Sequence, residues 1–300
     1  MDEYIINILV YIEIYLILAM SLNLLFGFGG LLNLAHMSTC AIGAYTTALL
    51  STGLQYDPLN ISLAPQGVWV CIPASMILCA FSALLIGAIS LRLSEDYFAI
   101  GTLAFSSVVL ALLINWKSLT HGVLGITGIP APEIGQIDFY DRGNFLKFST
   151  IITIITLLFF NFVNKSRLAR NLIALAENEQ SALSLGKKSS AIRNDAFIIS
   201  AAFSGLAGSL FAYYIQYVDP SSFTLSEMVF VLSIVIVGKP GSFWGVIAGT
   251  VFLVILPEPL RFLEISSEIV GPMRQLLYAL ILFAVVYVKK EKLFLVERKI

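Results

Sequence analysis

Residues 164–195 read NKSRLARNLIALAENEQSALSLGKKSSAIRND, a polar interruption between two long hydrophobic runs. Six of the chain's 18 lysines and arginines fall here (Lys165, Arg167, Arg170, Lys187, Lys188 and Arg193), against three acids, Glu177, Glu179 and Asp195. Leu168, Leu172, Leu175 and Ala176 recur at i, i+4, i+7 and i+8, which predicts one apolar face on a helix of about four turns. A second short helical piece, 179–185, is expected to end at Gly186, because glycine adopts the left-handed conformation that closes a helix. Two readings fit that spacing: an amphipathic helix lying on anionic headgroups, or a docking face for a soluble partner.

The rest of the chain explains why such a segment stands out. Of 300 residues, 58% are hydrophobic and 12% charged, with a mean hydropathy of +0.89. A soluble domain carries about 25% charged residues. A bilayer can take up this much apolar surface, and it forces the backbone into helices or a closed barrel. The apolar runs are long and continuous rather than alternating, so helices are expected. A net charge of −1 gives no electrostatic case for nucleic acid. Cys40, Cys71 and Cys79 lie inside apolar runs without ligand spacing and read as small hydrophobes. The N-terminus is acidic where a signal peptide would be basic, so the first helix is expected to stay in place.

A hydrocarbon core of roughly 30 Å needs about 20 helical residues. By that ruler about nine crossings are expected, over residues 5–26, 31–50, 68–91, 97–115, 148–163, 196–217, 222–237, 243–256 and 272–288. Positive charge concentrates in cytoplasmic loops. With the N-terminus outside, Arg92, the six basic residues of the central stretch, Lys239 and five tail residues fall inside. Only Lys117, Arg142, Lys147, Arg261 and Arg274 fall outside. The expectation is therefore an all-α polytopic membrane protein, N-terminus out and C-terminus cytoplasmic. One transmembrane domain over 1–300 is expected, with an external loop at 116–147 and a cytoplasmic loop at 164–195.

Several spans are short or interrupted, as in transporters whose broken helices line a substrate route. The break Gly27-Phe28-Gly29-Gly30 precedes the second span, and Gly238-Lys239-Pro240-Gly241 precedes the eighth. The two form a faint internal echo. Ser204, Gly205 and Gly208 make a small-residue face suited to close helix approach. Glu13 and Glu227 are intramembrane acids, positioned either for function or as hydrated groups near an interface. For Asn23 the default is a helix–helix hydrogen bond, and for His36 a bond to a freed backbone carbonyl. No phosphate-binding loop of the Gly-x-x-x-x-Gly-Lys-Ser/Thr type occurs, so any ATP hydrolysis belongs to another chain. His36 and His121 lack metal partners at ligand spacing, and no metal is expected.

Residues 179–186 resemble the Glu-Ala-Ala-x-x-x-Gly loop of ABC-importer permeases, with Ser181 where Ala is usual. More widely, the chain resembles LivM-type permeases of branched-chain amino-acid importers. The matching stretches are SLNLLFGFGGLLNLAH, IGAYTTALL, RLSEDYFAIGTLAF, LTHGVLGITGIP, AFIISAAFSGLAGSLFAYY, DPSSF and GKPGSFWGVIAGTVFLVILPE, in the family's order over about residues 21–258. Met37-Ser38-Thr39-Cys40 departs from the family's Gly-Ala-Phe-type sequence after the His. The resemblance implies a multi-pass permease of the bacterial inner membrane that translocates Leu, Ile or Val. It binds no cofactor itself and uses ATP through its partners. Those partners would be a LivH-type second permease, two ATP-binding subunits, a periplasmic substrate-binding protein and the surrounding lipid. Relatives that carry urea or short amides, and an ATPase-independent channel or carrier, are the alternatives. Glu179, Ala182 and Gly186 are the expected ATPase-coupling residues. Asn23, Asn33, His36, Tyr45 and Thr102 are candidates for the translocation path.

Overall fold

The computed structural model describes residues 3–53, 55–56, 61–90, 95–132, 135, 139–259 and 267–293. Each of the nine apolar runs is helical there. The long helices are α1 (Glu3–Asn23), α2 (His36–Thr52), α3 (Val68–Ser90), α4 (Glu95–Asn115), α6 (Arg142–Asn164), α9 (Ser189–Ile215), α10 (Leu225–Val237), α11 (Phe243–Ile255) and α12 (Ser267–Leu293). Three short helices connect them: α5 (Lys117–Thr120), α7 (Arg167–Glu177) and α8 (Glu179–Ser184). Six helical stretches, Glu3–Phe28, Val68–Gly87, Tyr97–Asn115, Arg142–Asn164, Ser189–Ile215 and Pro220–Val237, are long and apolar enough to cross a membrane. By contrast, α11 has 13 residues. It therefore rises about 20 Å, short of a bilayer core.

Several boundaries differ from the apolar runs, each for a local reason. Helix α6 starts at Arg142, six residues before the run at 148, because Asp141 caps it by accepting from Gly143 N at 3.2 Å. Helix α9 starts at Ser189 rather than 196, since the helix continues through the polar residues before it turns apolar. The first glycine-rich break also differs from its sequence reading. Helix α1 continues through Asn23 into a π-helical turn, Leu24–Phe28, so Gly27 and Phe28 lie inside a helix. The backbone leaves helical geometry only at 30–35, and α2 begins at His36.

The packing core is the crossing of α2, α3 and α9, and small residues set its spacing. A methyl added to Gly43 would lie 2.5 Å from Gly205 Cα, and one added to Gly208 would lie 2.1 Å from the Cys40 carbonyl oxygen. At Gly205 the added methyl would meet Cys79 Sγ at 2.6 Å. The helices therefore touch backbone to backbone, as membrane helices do where side chains are small. Hydroxyls stitch the same seam. Thr39 Oγ1 donates to Ser204 Oγ (3.0 Å), Ser204 Oγ donates to the His36 carbonyl (2.8 Å), and Ser75 and Ser209 share a bond of 2.5 Å. The small-residue face at 204–208 is thus a helix-packing face. The three cysteines are buried thiols without disulfides.

On one end of the bundle, β3 (Ile126–Thr127) pairs antiparallel with β4 (Tyr217–Val218), just after α9. Gly125 allows the approach: its φ is +67°, and a Cβ there would fall 2.2 Å from the Val218 carbonyl oxygen. The Gly-rich stretch GITGIP is therefore partly a strap that ties the loop after α4 to the exit of α9. A second two-stranded ribbon joins β1 (Gln55–Tyr56) to β2 (Ile61–Ser62). The outward faces are apolar. Trp69, Ile77 and Phe81 on α3, Ile100 and Leu112 on α4, and Ile154 and Leu158 on α6 are exposed. That is the surface of a chain surrounded by lipid or other membrane helices.

Candidate functional site

The two glycine-rich breaks, far apart in sequence, lie against each other. Asn23 Oδ1 accepts a hydrogen bond from Gly241 N at 2.8 Å, across 218 residues. A Cβ on Gly27 would lie 2.4 Å from Gly241 N, and one on Gly241 would lie 3.1 Å from the Gly27 carbonyl oxygen. The asparagine satisfies backbone that the irregular turn leaves without a helical partner. Water is absent from the bilayer core, so such a group must find its partner inside the protein. Asn23→Ala would leave Gly241 N unpaired and is expected to cost about 1–3 kcal/mol. A matching fall in the thermal midpoint of the purified complex checks this; an unchanged midpoint would show that the bond carries no stability.

Beyond the π-helical turn, the non-helical segment 30–35 is held by its own Asn33 and by Thr102 on α4, while His36 at its end is tied to α1. Asn33 Oδ1 accepts from Ala35 N at 3.0 Å, a local turn that leads into α2. Thr102 on α4 accepts from Leu34 N at 3.1 Å and donates to the Ala99 carbonyl at 2.9 Å. His36 Nε2 lies 3.1 Å from the Leu18 carbonyl oxygen and 3.0 Å from Ser21 Oγ. A carbonyl can only accept, so the imidazole carries its proton on Nε2. Ser200 on α9 donates to the Ser21 carbonyl at 2.7 Å, which closes the knot. Asn33, His36 and Thr102 are therefore brought together around one segment, with Asn23 beside it. Tyr45 lies nine residues beyond His36, about 13 Å along α2. All five are buried, and none borders the cavities described below. Ser38 and Thr39, in the stretch that departs from the family pattern, face α4 and α9: Ser38 Oγ donates to Ser106 Oγ at 2.6 Å.

The polar stretch is built onto this knot. Ala169, Leu172 and Leu175 of α7 are buried, with Leu168 and Ala176 half-buried beside them. A Cβ on Gly29 would meet Leu172 Cδ2 at 3.4 Å, and one on Gly30 would meet Ala176 Cβ at 3.7 Å. The apolar face of α7 is thus covered by the break itself, which removes it from lipid and decides against a helix lying on headgroups. Ser166 caps α7 by accepting from Leu168 N at 3.1 Å. Asn178 caps α8 by accepting from Ser181 N at 3.0 Å.

The three residues expected to couple are mainly structural in how they touch their surroundings. Glu179 turns back onto α9, accepting from Ser189 Oγ at 2.6 Å and pairing with Arg193 Nη2 at 3.4 Å. Ala182 is buried. Gly186, at φ +75°, closes α8: its N–H donates to the Leu183 carbonyl at 2.9 Å and Lys187 N donates to the Ala182 carbonyl at 3.2 Å. Between them the loop presents Leu183 and Leu185, 49% and 80% exposed in an otherwise polar segment. The helical face read from α7 did not reveal these two leucines. Their signal in the sequence is apolar residues at i, i+2 in SALSLG, off any one helical stripe.

Two larger cavities complete the inventory. An apolar groove of about 1000 Å³ runs between α3 and α6, past Trp69, Pro73, Phe148, Ile152 and Phe203. A polar cavity of about 500 Å³ lies where α1, α6, α10 and α12 begin and α9 and α11 end. Both intramembrane acids find partners. Glu13, on α1, accepts from Ser149 and, at 2.5 Å, from Thr150 on α6. Glu227 lines the polar cavity and accepts from Tyr15 at 3.0 Å. No group of three or more potential metal ligands occurs among the described residues.

Known proteins place this arrangement. The family model described as branched-chain amino acid transport system / permease component matches residues 4–286. The chain is 37% identical over 282 residues to the high-affinity branched-chain amino acid transport system permease protein LivM of Salmonella typhimurium, covering 86% of this chain and 64% of that protein. The LivM protein of Escherichia coli is 36% identical over the same shares. A probable branched-chain amino acid transport permease protein LivM of Methanocaldococcus jannaschii is 28% identical over 276 residues, 83% of this chain and 79% of its own. This chain therefore spans less than two thirds of the length of the two bacterial relatives, at 64%. No solved structure matches the chain. A helical membrane bundle with two interlocked glycine breaks and a match over nearly its whole length leads to one conclusion: the chain belongs to the branched-chain amino acid transport system permease family.

Proposed function

We propose that this chain is a transmembrane permease subunit of an ABC importer that moves leucine, isoleucine and valine across the bacterial inner membrane. The N-terminus faces the periplasm, and 164–195 and the C-terminus face the cytoplasm, in keeping with the distribution of Lys and Arg. The partners are a LivH-type permease, two ATP-binding subunits that bind and hydrolyse ATP, and a periplasmic protein that delivers the amino acid. The observation that carries this reading is mechanical continuity: α8 offers Leu183 and Leu185 outward, while α7 rests on the break at Gly29 and Gly30. A push on α8 reaches α9 through Glu179, Ser189 and Arg193, and reaches the segment 30–35 through α7. Asn33, His36 and Thr102 then rearrange as that segment moves, opening the path on one side or the other.

The test is uptake of labelled leucine, urea and a short amide by the complex reconstituted with all its partners. ATP-dependent accumulation of leucine, with neither of the other two transported, is the expected result. Uptake that persists unchanged with the ATP-binding subunits left out would sink the importer reading. Accumulation of urea or the amide instead of leucine would replace the cargo and keep the architecture.

A further inference from the structure

The polar cavity holds four charged side chains. Glu258 accepts from Tyr4 at 2.5 Å, Glu227 accepts from Tyr15, and Arg142 shares Glu3 and Asn7 at 3.5 and 3.3 Å. Arg274 is different. It lines the cavity from α12, makes no hydrogen bond or ion pair among the described residues, and its Nε is buried without a partner. A buried guanidinium N–H without a partner is costly, and a ligand that accepts from it recovers that cost. Within the same cavity Glu227 has one tyrosine hydroxyl as its only hydrogen-bond partner among the described residues.

Between these charges stands an aromatic wall. Tyr15 meets Phe230 edge-on at 4.9 Å, Phe230 lies 4.3 Å from Tyr278, and Tyr11 and Tyr15 stack at 6.5 Å. Ile8 and Val254 add aliphatic surface. The volume falls within the range of small-molecule sites, which combine an apolar lining with a few fixed polar groups.

We propose that this cavity binds the zwitterionic head of a free aliphatic amino acid, with Arg274 taking the carboxylate and Glu227 the ammonium. The guanidinium fork matches a carboxylate bidentately. The ammonium is held by the Glu227 carboxylate and by the faces of Tyr11 and Tyr15. The aliphatic side chain lies on Phe230, Tyr278 and Val254. Urea or a neutral amide offers Arg274 no carboxylate, and an anionic headgroup offers Glu227 no ammonium. A zwitterion answers both. The assignment rests on the amino-acid cargo proposed above and adds to it a holding site within this chain, at the end of the bundle where α1 begins.

The experiment uses the full complex in vesicles. A photoactivatable diazirine analogue of leucine is cross-linked and the labelled peptides are mapped, beside initial rates of leucine uptake. Label is expected on peptides carrying Tyr11, Phe230 or Tyr278, protected by leucine and not by leucinamide, which lacks the carboxylate. Arg274→Ala should raise the KM for leucine about ten- to a hundredfold, more than it lowers the maximal rate. Arg274→Lys should fall between, and Glu227→Gln carries the same test should the alanine variant fail to assemble. Wild-type uptake of leucine with no label in the cavity, or with KM in these variants within about twofold of wild type, overturns the site and leaves the importer reading standing. Label protected by phosphatidylglycerol and not by leucine also overturns it. Absence of leucine uptake by the wild-type complex removes both.

Discussion

Gly208→Ala is expected to leave little or no assembled permease. The added methyl would fall 2.1 Å from the Cys40 carbonyl oxygen and 2.8 Å from Ala44 N, both backbone atoms in the middle of α2. Neither can turn aside as a flexible side chain would. Relief requires α2 and α9 to separate, and separation breaks the bonds between Thr39 and Ser204 and between Thr47 and Ser209, at 3.0 and 2.7 Å. Overpacking a tight core costs about 1–3 kcal/mol, and more where only backbone can yield. Total stability is only about 5–15 kcal/mol, so the loss should show as absent complex in detergent size-exclusion profiles. Gly67→Ala is the control, since a methyl there meets nothing within 4 Å. Normal assembly of Gly208→Ala would mean that the helices do not meet as described.

Leu183→Glu combined with Leu185→Glu is expected to abolish uptake while leaving the membrane bundle folded. Both side chains are exposed, and neither belongs to the buried core. Losing an apolar anchor at an interface commonly costs about 2 kcal/mol, roughly thirtyfold in affinity. The ATP-binding subunits should therefore dissociate during purification. Glu179→Gln should act differently: the subunits stay bound, ATP turnover continues, and uptake falls because the ion pair that ties α8 to Arg193 is lost while an amide oxygen can still accept from Ser189. Co-purification separates the two variants, and the ratio of leucine transported to ATP consumed reads the second. Uptake by the double leucine variant at the wild-type rate would show that α8 is not the docking element.

Much of the architecture was legible in the sequence because a bilayer leaves the backbone few options. The nine apolar runs could be read from their length and the amphipathic helix at 168–176 from its periodicity, and a helix covers most of each. The site was less legible, for two reasons. Hydrogen bonds such as Asn23 to Gly241 and Leu34 to Thr102 join residues 218 and 68 apart, and no local pattern encodes such pairings. Of the coupling residues chosen by motif, Ala182 is buried, Glu179 bonds back to α9 and Gly186 is exposed at the end of α8. Glu179 and Gly186 shape α8, whereas the exposed leucines beside them carry no motif. The faint echo between the two glycine breaks was a weak sign in the sequence, and the structure gives it a physical sense by setting one break on the other.

That contact constrains how the protein is made. Asn23 and Gly27 emerge from the ribosome more than two hundred residues before Gly241 can reach them, since the bond spans 218 positions. Until then the turn at Leu24–Phe28 lacks the partner that completes it. The end of α1 is therefore completed only when the segment before α11 arrives. The crossing of α2, α3 and α9 can form before that point, so Gly241 adds the last tie to a bundle whose centre is already packed.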